Sequence, residues 1–217
     1  KQVNQSYSFH CPRTPLSGTW GKMVFVHLSP VNYRKMPFLI PLCLSTLTYG
    51  KAMLVAIMSD VHDRQRNLLS ALKRAKELGC EHLLYLGDFV HPATLQVMLE
   101  SWLQPLDFVL GNNEYELEAF DALASQRANV HFHGYDGDAV LGERHIFFTH
   151  TPHDAISRGL NSGLYDAVFY GHTHASAAFT APDKTLMVNP GELYGRRESP
   201  GFAVYCTSSN TVTFHKI

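Results

Sequence analysis

From residue 53 onward, short apolar runs alternate with segments of helical spacing, and this alternation restricts the fold more than any other feature of the chain. Residues 54–58 form an apolar run of strand length. Residues 67–78 then place Leu68, Leu72 and Ala75 on one helical face and stop at Gly79, a residue suited to the left-handed position after a helix end. A second strand, 82–86, leads into Gly87-Asp88. Pro92 opens a helix whose Leu95, Met98, Leu99 and Trp102 share a face. A third strand, 107–110, ends in Gly111-Asn112-Asn113-Glu114, and 115–124 reads as another helix. Strands that alternate with helices build βαβ units, so a largely parallel sheet is expected.

After Asn129 the rhythm changes to short strands, expected over 130–133, 139–141, 145–149, 167–170, 175–180, 185–188, 201–206 and 211–216, with one short helix near 154–160. They read as a second, mostly antiparallel sheet packed on the first. A chain of 217 residues, 45% hydrophobic and 17% charged, can bury the core of one α/β domain with an appendage. Residues 1–52 supply the appendage. Pro12, Pro15, Pro30, Pro37 and Pro41 interrupt them, and no helical or strand period persists there. The apolar run 37–47 is too short to cross a bilayer, and no small-residue cleavage site follows it. Residues 1–52 are therefore expected to be a dispensable extension, or the product of an upstream start, outside the catalytic core. Residues 53–217 would be the domain.

The formal charge is -1, with Lys and Arg scattered, so the chain has no electrostatic footprint for a nucleic-acid polymer or an anionic membrane. Cys11, Cys43, Cys80 and Cys206 form no C-x-x-C pair, which points away from a zinc knuckle or disulfide framework and towards free thiols in the cytoplasm. Histidine is the outlier, with 13 copies. Asp60 and His62 follow the first strand, Asp88 the second and Asn112 the third. His150 follows the strand 145–149, and His172 and His174 follow 167–170. In open α/β sheets the carboxyl ends of strands form the ligand crevice, where residues distant in sequence converge. Taken singly, an Asp after a strand is a helix cap and an Asn after Gly a turn residue. Together, carboxylate, imidazole and amide oxygen are the donors of borderline divalent metals.

Ser59-Asp60-Val61-His62-Asp63, Gly87-Asp88, Gly111-Asn112-Asn113-Glu114, Thr149-His150 and Gly171-His172-Thr173-His174 resemble, in order, the five blocks of the calcineurin-like metallophosphoesterases. The likeness is greatest to the small single-domain phosphodiesterase branch, where Asn189-Pro190-Gly191 also has a counterpart, and it runs from about Met53 to Ile217. The resemblance implies a four-layer α/β/β/α sandwich of two mixed sheets flanked by helices. It implies a dinuclear centre in which Asp60, His62 and His174 hold one metal, Asn112, His150 and His172 the other, and Asp88 bridges them. Manganese is the first expectation, with iron, cobalt, nickel or zinc accepted by the same donors. Two cations about 3.5–4 Å apart can share a water, lower its pKa towards about 7 and so supply a bridging hydroxide for in-line attack at phosphorus.

The expected activity is thus hydrolysis of a small phosphoester, diester before monoester, with no membrane or nucleic-acid polymer as partner and room for a homo-oligomer. The chain has no Gly-x-Ser-x-Gly elbow, Walker loop or Gly-x-Gly-x-x-Gly turn. Many relatives carry His, a candidate acid, where this chain has Asn113, and Asn cannot deliver a proton at neutral pH. His153 and Glu114 are the candidate catalytic substitutes; their plainer readings are a helix-start histidine and a capping carboxylate. Asp63 reads most simply as a helix N-cap, with support of a ligand as its alternative, and the Gly195-Arg196-Arg197 turn as a solvated loop pair, with contact to substrate phosphate as its alternative. The competing class is a non-catalytic interaction scaffold of the retromer-subunit type, against which the intact ligand set argues.

Overall fold

The computed structural model describes residues 52–217. The proline-rich stretch with Cys11 and Cys43 lies outside the described residues. The first half of the domain is three successive βαβ units: β1 (Leu54–Met58), α1 (Gln65–Glu77), β2 (His82–Tyr85), α2 (Pro92–Ser101), β3 (Leu106–Phe108), α3 (Leu117–Ala124) and β4 (Val130–Phe132). Strands β1 to β4 pair in parallel, with Val55 opposite His82, Leu83 opposite Leu106 and Leu106 opposite Val130. There follow β5 (Asp136–Leu141), β6 (Arg144–Thr149), β7 (Ala167–Phe169), β8 (Ala177–Thr180), β9 (Leu186–Asn189), β10 (Gly201–Cys206) and β11 (Thr211–Lys216).

Two mixed sheets result, ordered β11-β10-β1-β2-β3-β4 and β5-β6-β7-β9-β8. Because side chains alternate along a strand, β1 sends Ala56 and Met58 towards α1–α3, where Leu68, Trp102, Phe108 and Phe120 complete one core. It sends Val55 and Ile57 towards the other sheet, against Phe148, Phe169 and Tyr205. On the far side, Phe147, Val168 and Met187 are covered by Ala155 from the turn of helix that follows β6. The four layers implied by the resemblance are therefore present.

Several local expectations are corrected. The strands at 201–206 and 211–216 leave the second sheet for the first, with β10 antiparallel to β1. The physical reason is burial on both faces. Phe202 and Val204 enter the helix-side core, while Ala203 and Tyr205 enter the core between the sheets. A strand apolar on both sides belongs in a sheet interior, and β10 is held there between β1 and β11. The second sheet is equally parallel and antiparallel, since β6, β7 and β9 run in parallel while β5 and β8 are antiparallel edges. The helix expected at 154–160 is a composite of one α-turn, Pro152–Asp154, a π-turn, Ala155–Gly159, and a 3-10 turn, Leu160–Ser162.

Candidate metal centre

All seven expected ligands lie at the carboxyl ends of parallel strands, on the loops after β1, β2, β3, β6 and β7. Asp60, His62, Asp88, His172 and His174 have φ of 56, 43, 61, 68 and 58°. Non-glycine residues in that region carry strain that persists where the surroundings impose it. Here the loops hold one another. The amides of Asp60 and His62 donate to the carbonyls of Gly87 and Asp88 at 3.1 and 3.0 Å, and Leu193 and Tyr194 donate to Ser59 and Asp60 at 3.1 and 2.9 Å. The glycines of the motifs permit the close approach. A Cβ on Gly111 would stand 2.1 Å from Asp88 Oδ1, and one on Gly171 2.1 Å from Ser59 Oγ and 2.9 Å from Asp60 Oδ2.

The seven side chains form one continuous cluster. Asp60 Oδ1 lies 3.3 Å from His174 Nε2, which is 3.3 Å from His62 Nε2. On the other side, Asn112 Oδ1 lies 3.1 Å from His150 Nε2 and 2.8 Å from His172 Nδ1. Asp88 Oδ2 sits between the two groups, 3.4 Å from His62 Nε2 and 3.5 Å from His150 Nε2. One donor atom from each of Asp60, His62, Asp88 and His174 falls within 4.8 Å of the others. Asp60, Asp88 and His150 are buried and make the floor, while the more open His62, His172 and His174 make the rim.

The donor set fits divalent cations. Asp60 Oδ1 is buried and accepts no hydrogen bond, a burden of about 1–3 kcal/mol for such an acceptor that a cation would relieve. His150 Nδ1 lies 2.7 Å from the Leu86 carbonyl, which can only accept, so in the neutral ring Nε2 presents its lone pair to the cluster. Glu192 does the same for His174, accepting from its Nδ1 at 2.6 Å, the support that metal-binding histidines usually have. Burial pushes Asp88 up, yet the nearby imidazoles of His150 and His62 and the hydrogen bonds from Asn113 bring its pKa to about 2, so it is ionised. Burial likewise pushes His150 down, but Asp88 and the charge of Asp60 hold it at about 9 in the metal-free chain, so a cation bound at Nε2 would displace a proton there. The point between the two halves therefore attracts positive charge.

Glu114 is buried, its carboxylate accepting from the amides of Phe89, Val90 and Gly111, the last at 2.7 Å. It thus ties the Gly-Asp loop to the Gly-Asn loop. Burial, then the charge of Asp88, push its pKa up. His153 is exposed on the turn after His150 and makes no hydrogen bond to the cluster. Asn113 donates from Nδ2 to Asp88 Oδ2 at 2.7 Å. Asp63 does not cap α1, whose cap residue is Arg64. It reaches across to the start of α2, where Thr94 Oγ1 donates at 2.6 Å and His91 Nδ1 lies at 2.6 Å. Sequence reasoning missed Glu192; its signal was a charged residue between Gly191 and Leu193 in an otherwise apolar and turn-forming segment.

A family model described as the calcineurin-like phosphoesterase superfamily domain matches residues 53–210. The chain belongs to that superfamily, in its small phosphodiesterase branch. It is 30% identical over 147 residues to a phosphodiesterase of Methanocaldococcus jannaschii, a match that spans 66% of this chain and 86% of the relative. The solved structure of a novel archaeal phosphodiesterase superposes with a TM-score of 0.70 at 26% identity, covering 76% of this chain and 100% of that one. Vps29 of Chaetomium thermophilum shares the fold, with a TM-score of 0.51 at 17% identity over 76% of this chain and 97% of its own.

Proposed function

We propose that the chain is a phosphodiesterase dependent on two divalent cations, manganese first. Asp60, His62 and His174 would hold one, Asn112, His150 and His172 the other, and Asp88 both. The observation that carries this reading is the position of Asp88 Oδ2, 3.4 and 3.5 Å from a ligand nitrogen of each half. When bound, such cations offset charge at phosphorus and acidify a water they share. The protein's own groups do the rest. The Leu86 carbonyl and Glu192 fix the tautomers of His150 and His174, which keeps their lone pairs directed inwards. The buried floor excludes bulk water on one side, so a substrate approaches across the rim, where Thr173, Arg196 and Arg197 flank His172 and His174. Preference for diesters is supported by the phosphodiesterase relative. A cytoplasmic setting is supported by the free thiols of Cys80 and Cys206, and no described helix is long and apolar enough to cross a membrane.

The test is metal content of the purified chain together with hydrolysis of bis(p-nitrophenyl) phosphate and p-nitrophenyl phosphate across a series of cations. The expected result is bound metal, faster cleavage of the diester, loss of activity with chelator and its return with manganese. Metal uptake without turnover of either ester would favour the interaction scaffold on the same fold.

A further inference from the structure

Beside the metal centre lies a cavity of about 890 Å³ walled by the start of α1 and the turn before β10, with Arg64, Arg66, Tyr194 and Arg196 among its residues. It adjoins the rim: Arg196 lines both this cavity and the smaller one at His172 and His174. Tyr194 is the shared wall, its ring 5.0 Å from that of His62 on one side and 5.1 Å from the Arg64 guanidinium on the other. Both neighbours of the ring are thus in place, and the open chemistry of the cavity is its charge. The ion pairs of arginines and lysines among the described residues use Arg74, Arg144, Arg158 and Lys216. None uses Arg64, Arg66 or Arg196. The carboxylate of the wall, Asp63, is directed away to His91 and Thr94. Helix α1 also begins here without a side-chain cap or an acid in its first turn, which adds to the positive potential.

We propose that this cavity is a subsite for a second phosphate carried by the substrate, so that the enzyme prefers phosphoesters bearing a further phosphoryl group one sugar or glycerol unit from the scissile one. The inference rests on the phosphodiesterase reading for the location of the scissile group. Arg64 and Arg196 would grip the second phosphate with charge-assisted, bidentate hydrogen bonds, and Arg66 would add charge at the cavity mouth.

The test uses the full chain loaded with manganese and calorimetric titration with thymidine 3′,5′-bisphosphate and thymidine 5′-phosphate, which differ by one phosphate. Since binding is read, a chain that hydrolyses nothing still decides the subsite, and a chain that hydrolyses diesters without the preference separates the two readings. The bisphosphate should bind roughly 10- to 100-fold more tightly, the scale of one well-made charged contact. Arg64→Ala and Arg196→Ala should each remove roughly tenfold of that preference, Lys73→Ala none, and added salt should compress it. Equal affinities would overturn the proposal, as would a preference that survives both arginine substitutions. An equal gain from inorganic phosphate supplied beside thymidine 5′-phosphate would make the cavity a site for a free anion, and would overturn it too.

Discussion

Glu192 and Asn113 show how single side chains set this centre. Glu192 accepts from His174 and from the amides of Arg197 and Glu198, the last at 2.8 Å, so its charge orients one ligand and closes the loop behind it. Glu192→Gln keeps the shape but removes the charge. Apparent affinity for manganese, followed by calorimetry, should weaken by about 10- to 100-fold, with a far smaller change in melting temperature; unchanged affinity would show that His174 needs no such support. Asn113 stands where relatives carry a candidate acid, and here it donates to Asp88. With no proton donor in that place, departure of the leaving oxygen should grow steeply harder as it becomes more basic. Asn113→His should recover part of the roughly 10²–10⁴-fold worth of general-acid assistance for alkyl esters and barely alter aryl ones. His153→Ala is the control. A selective loss on alkyl esters there would make His153 the donor, and a flat dependence on leaving-group pKa would exclude both.

At the scale of elements, the βαβ half was legible because each signal was local: the face of Leu68, Leu72 and Ala75, Pro92 at a helix start, and polar residues directly after apolar runs. The second half was not. Whether β10 lies beside β1 or with β9 depends on the segment between Asn189 and Gly201, and a long connection carries no periodic signal. Helix α1 begins at Gln65, two residues before the expected start, with Arg64 in the cap position while Asp63 turns to α2. The ligands were readable because they follow strands; Glu192 was not, because it acts through His174. Asn189 links the two halves of the problem. Its Nδ2 donates to the Gly171 carbonyl at 2.7 Å and the Thr173 hydroxyl at 3.0 Å, and its Oδ1 accepts from Gly191 at 2.9 Å. Being buried, Asn189→Ala leaves these partners unsatisfied and should cost about 2–3 kcal/mol by urea unfolding while loosening the loop of His172 and His174. A loss of metal affinity without loss of stability would contradict the structural half of this assignment.

For the whole molecule, the seven proposed ligands and the three apolar clusters of the described residues lie within residues 53–217, so a chain begun at Met53 should fold and keep its activity; an insoluble truncation beside a well-behaved full chain would show otherwise. Its stability should also carry an acid limb traceable to one buried group. Asp107 on β3 lies between the sheets, with His82 Nε2 at 2.7 Å and His133 Nε2 at 2.6 Å from its two oxygens. Burial pushes its carboxyl up, but the two histidine hydrogen bonds and their charges outweigh burial and hold the pKa well below the usual carboxylate range. In the unfolded chain the group returns to about 3.9. Below that value the unfolded state binds the extra proton, so the contribution of Asp107 is complete above about pH 4–5 and is lost as pH falls towards the folded pKa. Asp107→Asn keeps the shape without the charge. The difference in unfolding free energy between the two proteins should be on the order of 2 kcal/mol at neutral pH and should shrink steadily below about pH 4, where the carboxyl of the unfolded chain takes up a proton and that of the folded chain does not. Taking the difference cancels the titration of the metal centre, which both proteins share. Urea unfolding at pH 7, 5 and 3.5 measures it; a difference that stays constant across that range would mean that Asp107 contributes through packing and not through charge.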